Sequence, residues 1–333
     1  MCSMHFGSSP YLSNSTNERY DAMKIVVVGH MMEETILMPN MVNSDIVLGG
    51  PAAYASVASA QLGTLTGVVT RVAQEFPQSF ISALTQAGVD TTGIHYSPIG
   101  TTNILRYKTD GSKEITFLSQ APPITWADIP AVYRDADYFM ICPVNFEVSL
   151  DLLKKLQKQR KTVLIDIGGY GGAASNNRLY DKEKRISLLQ EIVACACFVK
   201  ASEEDCRCIF EQTFTVQESM KQLKQLGINN VILTLGSKGA LAEFENQQKY
   251  FPGYKTLAKE VTGAGDTWCG AFLNAISGGA ELFSAVRYAC ATASLFITKT
   301  GGVSLTRIPS QEAIRKQMQE EAGADDSCFI TSN

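Results

Sequence analysis

Only three histidines occur in the 333-residue chain, at positions 5, 30 and 95, too few and too scattered for a histidine metal centre or a Ser-His-Asp triad. An excess of basic charge is also missing. Lys and Arg number 29 against 33 Asp and Glu, a net charge of −4, which leaves no footprint for a nucleic acid. No apolar run approaches the roughly 20 residues of a membrane-spanning helix. The Gly-x-x-x-x-Gly-Lys-Ser/Thr loop of the P-loop kinases is absent. Residues 1–22 lack the apolar middle of a secretory signal and read as a disordered polar lead, with Met23 as an alternative start. The Asn-Ser-Thr at Asn14 then has no glycosylating compartment to meet. In that setting nine cysteines are expected to be free thiols of a cytoplasmic protein. The pairs Cys195-x-Cys197 and Cys206-x-Cys208 are closer than the C-x-x-C of structural zinc sites; in a strand, such a pair shares one packed face.

What is present reads as α/β. "MKIVVVGH" (23–30) is a continuous apolar run of the kind buried in a parallel sheet, and "GGPAAYASVASAQLG" (49–63) is a Gly-Gly turn opening an Ala/Ser-rich helix. "LTGVVTRV" and "QSFISALTQAG" repeat the strand–helix step. The rhythm breaks at 100–120, where β-rich stretches flank the turn signal "TDGS"; with 35–48 they can form a small separate sheet. It resumes with "DYFMICP", "SLDLLKKLQKQR", "KTVLIDIGG" and "KQLKQLGINNVILTLG", the alternation of a parallel sheet with crossover helices. From about residue 318 to 333 the chain is polar and reads as a loose tail.

The most informative stretch is "EVTGAGDTWCGAF" (260–272), where Gly-Ala-Gly-Asp opens a helix with apolar positions 268, 271, 272, 275 and 276. Glycines sacrifice helix propensity, but at a helix start the first amides lack internal partners and the dipole is positive. Gly263 and Gly265 would let a phosphate approach bare backbone, and Asp266, in the same turn, could act as a base on a hydroxyl. A plain loop-to-helix turn capped by Asp266 explains the same residues without catalysis.

"VTGAGDTWCGAF" closely resembles the signature of the ribokinase-like (PfkB) carbohydrate kinases, D-T-x-G-A-G-D-x-F-x-G-A/G-F, and "GGPAAYASVASAQLG" resembles their N-terminal signature. The two lie about 210 residues apart in the order that family uses, and the resemblance spans 23–316. It implies a Rossmann-like three-layer core, a mainly parallel sheet flanked by helices, with a β lid from about 35–48 and 100–120 in a domain of 23–317. It implies ATP as donor, Mg²⁺ as metal, Asp266 as catalytic base, and the backbone of Gly263, Ala264 and Gly265 as anion hole. "KASEED" resembles the family's K-x-N-x-x-E and "TLGSKG" its nucleotide-binding loop, assigning Lys200, Ser202, Thr234, Gly236, Ser237, Gly239 and Gly265 to ATP, and Asp205 to Mg²⁺ through water. Residues 289–294 and Gly301-Gly302 would border adenine.

Glu34, Gly49, Gly50, Tyr54 and Asp166 take the family's acceptor-binding places. Here the chain departs: Met32 and Glu34 stand for the Asn and Asp of sugar kinases, and Tyr54 for an Asn. A thioether and a phenol in place of amides suit a bulkier or flatter acceptor, a cyclic polyol or nucleoside, and "APPITWADIP" is similar to the inositol-kinase-like branch. Glu260 replaces the Asp that with Thr262 would hold a monovalent cation such as K⁺, and its extra methylene displaces the carboxylate. "GYGGAA" (169–174) fits a dinucleotide fingerprint, but no strand ending in an acid follows. The expectation is an ATP-dependent kinase of a sugar, polyol or nucleoside, with pairing of two chains through the lid edge. The alternative is a non-catalytic metabolite-binding or scaffold protein of the same fold, which would have no need of Asp266 as base.

Overall fold

The computed structural model describes residues 23–39, 41–42, 44–109, 113–175 and 181–320. The first elements are β1 (Ile25–Val28), β2 (Met32–Leu37), β3 (Ile46–Gly49), α1 (Pro51–Gln61), β4 (Thr66–Ala73), α2 (Gln78–Gln86) and β5 (Val89–Ser97). Next come β6 (Thr101–Tyr107), β7 (Lys113–Ser119), β8 (Tyr138–Ile141), α3 (Leu150–Lys158), β9 (Thr162–Asp166), α4 (Lys182–Val193) and β10 (Phe198–Ser202). The chain continues through α5 (Glu203–Phe210), α6 (Val216–Gln225), β11 (Val231–Thr234), β12 (Gly239–Phe244) and β13 (Gln247–Pro252), then α7 (Ala264–Ser277), α8 (Leu282–Phe296) and α9 (Gln311–Glu320).

β1 has no polar face because both its faces are covered. Ile25 and Val27 enter a core built with α1, α2, α7, α8 and α9, while Val26 and Val28 enter a second core built with α3 to α6. The strand order is β13-β12-β11-β10-β9-β8-β1-β4-β5, parallel from β5 to β11 and closed by the antiparallel β12 and β13. The chain leaves β1 first toward β4 and β5, then returns on the other side through β8 to β11. The order therefore reverses between β1 and β8, and in open α/β sheets the crevice at the strands' carboxyl ends is where ligands bind. α7 packs across β1, β8 and β9, and α1 packs against α7. The carbonyl of Leu62, just after α1, accepts from Asn274 Nδ2 (3.1 Å) and Gln311 Nε2 (2.7 Å).

A second sheet, ordered β3-β2-β6-β7, stands apart from the first, as expected from 35–48 and 100–120. β6 and β7 pair antiparallel on either side of "TDGS", whose last three residues lie outside the described set. Its edge strands expose Ile46 and Leu118. Some local readings need correction. Cys195 and Cys197 occupy the turn between α4 and β10, and Cys206 and Cys208 lie on α5, so neither pair shares the face of a strand. No cluster of metal-ligating side chains occurs among the described residues. β5 went unread because its alternation is broken by exposed positions, as suits an edge strand. The tail expected from 318 is helical to Glu320; residues 321–333, like 1–22 with His5 and Asn14, lie outside the described residues. Among the described residues no helix is long and apolar enough to cross a membrane.

Candidate active site

Asp166 ends β9, Ser202 ends β10 and Thr234 ends β11, so the sheet itself delivers these residues to one edge. The N-terminus of α7 meets them there. Gly263 caps the helix in the left-handed region (φ 79°), which favours glycine, and a side chain there would overlap the ring of Tyr54. Thr267 N–H donates to Gly263 O (2.9 Å), the first full helical turn, which places Ala264, Gly265 and Asp266 among the residues whose amides precede it. Ala264 N–H donates to Val261 O (3.1 Å), closing a turn just ahead of the helix.

Below Gly265 sits a buried cation. A β-carbon on Gly265 would lie 3.2 Å from Lys200 Nζ, so the missing side chain is what brings backbone and ammonium together. Lys200 Nζ donates to Asp166 Oδ2 (2.8 Å), with side-chain exposures of 7% and 11%. Burial, the largest single influence, would lower the Lys200 pKa, but Asp166, Cys269 and Asp205 together outweigh it and hold the proton above the ordinary 10.5. Asp166 is thus paired to Lys200 at the carboxyl ends of neighbouring strands. Its Oδ1 accepts from Gly168 N–H (3.0 Å). Asp205 Oδ2 accepts from Ser202 N–H and Oγ–H (both 2.7 Å) in a capping box, and its Oδ1 accepts from Ala173 N–H (2.9 Å). Three donors thus meet a buried carboxylate with about four lone-pair positions.

On the other side of Gly263 the residues expected at the acceptor, Tyr54, Glu34, Gly49 and Gly50, lie close together. Tyr54 is buried, its ring meets Gly263, and its pKa is pushed far up, first by burial and then by Glu34. Glu34 Oε1 accepts from Asn103 Nδ2 (3.0 Å), and Gly49 has no room for a side chain beside the Glu34 carboxylate. Gly50 caps α1 at φ 97°. Asp266 lies in the first turn of α7, near enough for its charge to help raise the pKa values of Cys142, Cys269 and Tyr54. Both cysteines are fully buried and their thiols are pushed well up by burial, with Asp266 and Asp166 adding to it, so neither is a thiolate nucleophile. His30 is a satisfied structural histidine: Nδ1 meets Thr101 Oγ1 (2.8 Å) and Nε2 meets Pro122 O (3.1 Å).

The residues proposed for a monovalent cation do not fit one. Glu260 Oε1 accepts from Arg307 Nη1 (2.6 Å) and Gly302 N–H (3.2 Å), and Oε2 accepts from Gly301 N–H (2.9 Å). Thr262 Oγ1 pairs with Tyr107 Oη (2.6 Å), on the small sheet. Arg307 and Tyr107 escaped the sequence reading, since nothing local marks a partner 47 or 155 residues away. Elsewhere, Gly236 and Ser237 lie exposed in the loop between β11 and β12, at the carboxyl end of β11, and Gly239 opens β12. The 289–294 segment is corrected: Ala289, Ala291 and Thr292 are wholly buried inside α8, leaving Ala293 as its partly open residue. "GYGGAA" opens no helix, because α4 starts only at Lys182. A dinucleotide fingerprint needs its glycines at the helix start.

A family model described as pfkB family carbohydrate kinase matches residues 22–309. The cytidine kinase of Thermococcus kodakarensis is 30% identical over 291 residues, covering 85% of this chain and 99% of its own. Among solved structures, Vibrio cholerae fructokinase with fructose, ADP and potassium bound superposes with a TM-score of 0.75 at 22% identity, over 90% of this chain and 100% of that one. Arabidopsis thaliana ribokinase with ribose and ATP gives 0.72 at 19% identity, over 90% and 99%. With the carboxyl-edge site, the Gly-Ala-Gly-Asp helix start and a family match over most of its length, the chain belongs to the pfkB family of carbohydrate kinases.

Proposed function

We propose that the chain moves the γ-phosphoryl group of ATP to a hydroxyl of a nucleoside or similar flat polyol, with Asp266 as general base. The observation that carries the reading is the start of α7, where Asp266 follows Gly265 and the Lys200 ammonium lies directly beneath. Asp266 would take the hydroxyl proton as the new O–P bond forms and the bond from the γ-phosphorus to the ADP oxygen breaks. The amides beside Gly265 and the charge of Lys200 would stabilise the negative charge spread over the transferring group. Lys200, Ser202, Thr234 and the 236–239 loop would line the donor side. Mg²⁺, carried in by the phosphates, would screen their charge, and Asp205 would meet it through water at Oδ1.

A nucleoside is favoured by two things: the cytidine kinase relative, and the replacement of sugar-binding amides by Met32 and Tyr54 beside Glu34 and Asn103. Pairing of two chains through the exposed edges at Ile46 and Leu118 belongs to the same proposal, and a monomer by sedimentation velocity at assay concentration would remove it. The test of activity is ADP release from ATP over a panel of nucleosides, sugars and inositols. Asp266→Asn is expected to bind ATP normally and turn over at least about 100-fold slower. Near-wild-type turnover would dismiss Asp266 as base. A wild type inert on the whole panel yet stabilised thermally by ligands would favour the non-catalytic reading.

A further inference from the structure

The segment Glu260–Thr262 that leads into Gly263 is fastened from behind by one fully buried guanidinium, Arg307. Arg307 Nη1 donates to Glu260 Oε1 (2.6 Å) and to Gly302 O (2.9 Å), and Nη2 donates to Glu260 O (2.8 Å). Its flat face lies 3.7 Å from the centre of the Phe296 ring. Phe296 meets Tyr54 edge-on at 6.2 Å, and Tyr54 packs on Gly263. One carboxylate oxygen and two carbonyl oxygens thus converge on a single positive charge, the ligand chemistry that a bare alkali cation would ask for. The guanidinium already fills it, and a guanidinium keeps its charge at any working pH.

We infer that Arg307 is a built-in cation: it stands in for a bound monovalent ion behind the phosphate-binding turn, and the enzyme needs no such ion. Arg307 is a positioning residue, since it reaches the reacting groups only through Glu260, Phe296 and Tyr54. Its charge neutralises Glu260, which would otherwise repel an incoming phosphate, and its bonds to Glu260 and Gly302 set the path of the chain into α7. The inference rests on the phosphotransfer reading for its kinetic arm but not for its binding arm.

In the binding arm, thallium-205 NMR of the ligand-free protein titrated with Tl⁺ should give no saturable site; saturable binding displaced by K⁺ would overturn the inference. In the kinetic arm, wild-type turnover in potassium, sodium and tetramethylammonium salts of equal ionic strength should agree within about twofold. A rise of about fivefold or more with K⁺ would refute it. Arg307→Ala should lose about tenfold or more in kcat with a smaller change in nucleotide affinity, and recover in part with millimolar guanidinium or K⁺. Full activity of folded Arg307→Ala without either ion would also overturn it. If that variant does not fold, Arg307→Lys serves: it should keep part of the turnover and remain indifferent to K⁺, and a new K⁺ requirement would count against the inference. Absence of transfer in every salt would sink the kinase proposal, while Tl⁺ binding would still decide the role of Arg307.

Discussion

Replacing Lys200 by methionine leaves the Asp166 carboxylate without its counter-ion in a site where its side chain is 11% exposed. Breaking a buried pair from one side costs about 3–5 kcal/mol, because the remaining charge has lost both water and partner. The Gly168 amide still donates to Asp166, which argues for the lower end. Against a typical domain stability of about 5–15 kcal/mol, Lys200→Met should stay folded with a clearly lower urea midpoint. Adding Asp166→Asn removes the stranded charge, so the double variant should regain most of the loss, a coupling of roughly 3 kcal/mol. The raised Lys200 pKa contributes stability that is fully present below 10.5 and lost only as pH rises through the higher folded value, so the coupling should be the same at neutral and mildly alkaline pH. Turnover should behave differently. Single and double variants both lack the cation under Gly265, and both should transfer phosphate at least about 100-fold slower than wild type. The assays are equilibrium urea unfolding and ADP release. A double variant with wild-type turnover would reduce Lys200 to a neutraliser of Asp166, and a single variant losing under about 1 kcal/mol would refute the buried-pair argument.

Gly265→Ala adds a methyl 3.2 Å from Lys200 Nζ while improving helix propensity by up to about 1 kcal/mol. Its melting temperature should hold or rise while turnover falls about tenfold or more; unchanged turnover would show that no phosphate approaches that backbone. His30 is buried with its pKa lowered from 6.5, chiefly by burial. The unfolded chain therefore binds a proton that the folded one refuses: stability is full above 6.5 and falls below it by up to about 1.4 kcal/mol per pH unit. Urea midpoints between pH 7.5 and 5.5 should drop more steeply for wild type than for His30→Gln, and parallel curves would contradict this.

The sequence announces what is local. β1 is legible as four apolar residues in a row, α1 as a Gly-Gly-Pro start with a glycine stop, and α7 as glycines followed by a helical apolar stripe. Asp266 and the two glycines could be singled out because they share one turn at the start of α7. The pairing of Asp166 with Lys200 could not be read, since Lys200 comes from the neighbouring strand and only the register Lys200↔Asp166 sets them side by side. Arg307 on Glu260 and Tyr107 on Thr262 are likewise products of tertiary packing, as is the turn at Cys195 that sequence spacing suggested as strand. The expected acceptor residues stay partly illegible for the same reason: they come from β2, β3 and α1, with Asn103 of β6 beside them, and their types depart from the family signature.

The packing of α1 on α7 has a consequence for how the protein is made. Asn274, which bonds the carbonyl after α1, lies 212 residues downstream, and translation at about 5–20 residues per second separates the two by roughly 10–40 s. Through that interval the nascent chain carries Tyr54, Ala55 and Ala58 without the helix that will pack on them. The Gly-Ala-Gly-Asp turn arrives with the same late segment, so a ribosome that stops short of it releases a chain without a closed core. Folding to completion and acquiring activity are, for this topology, a single late event.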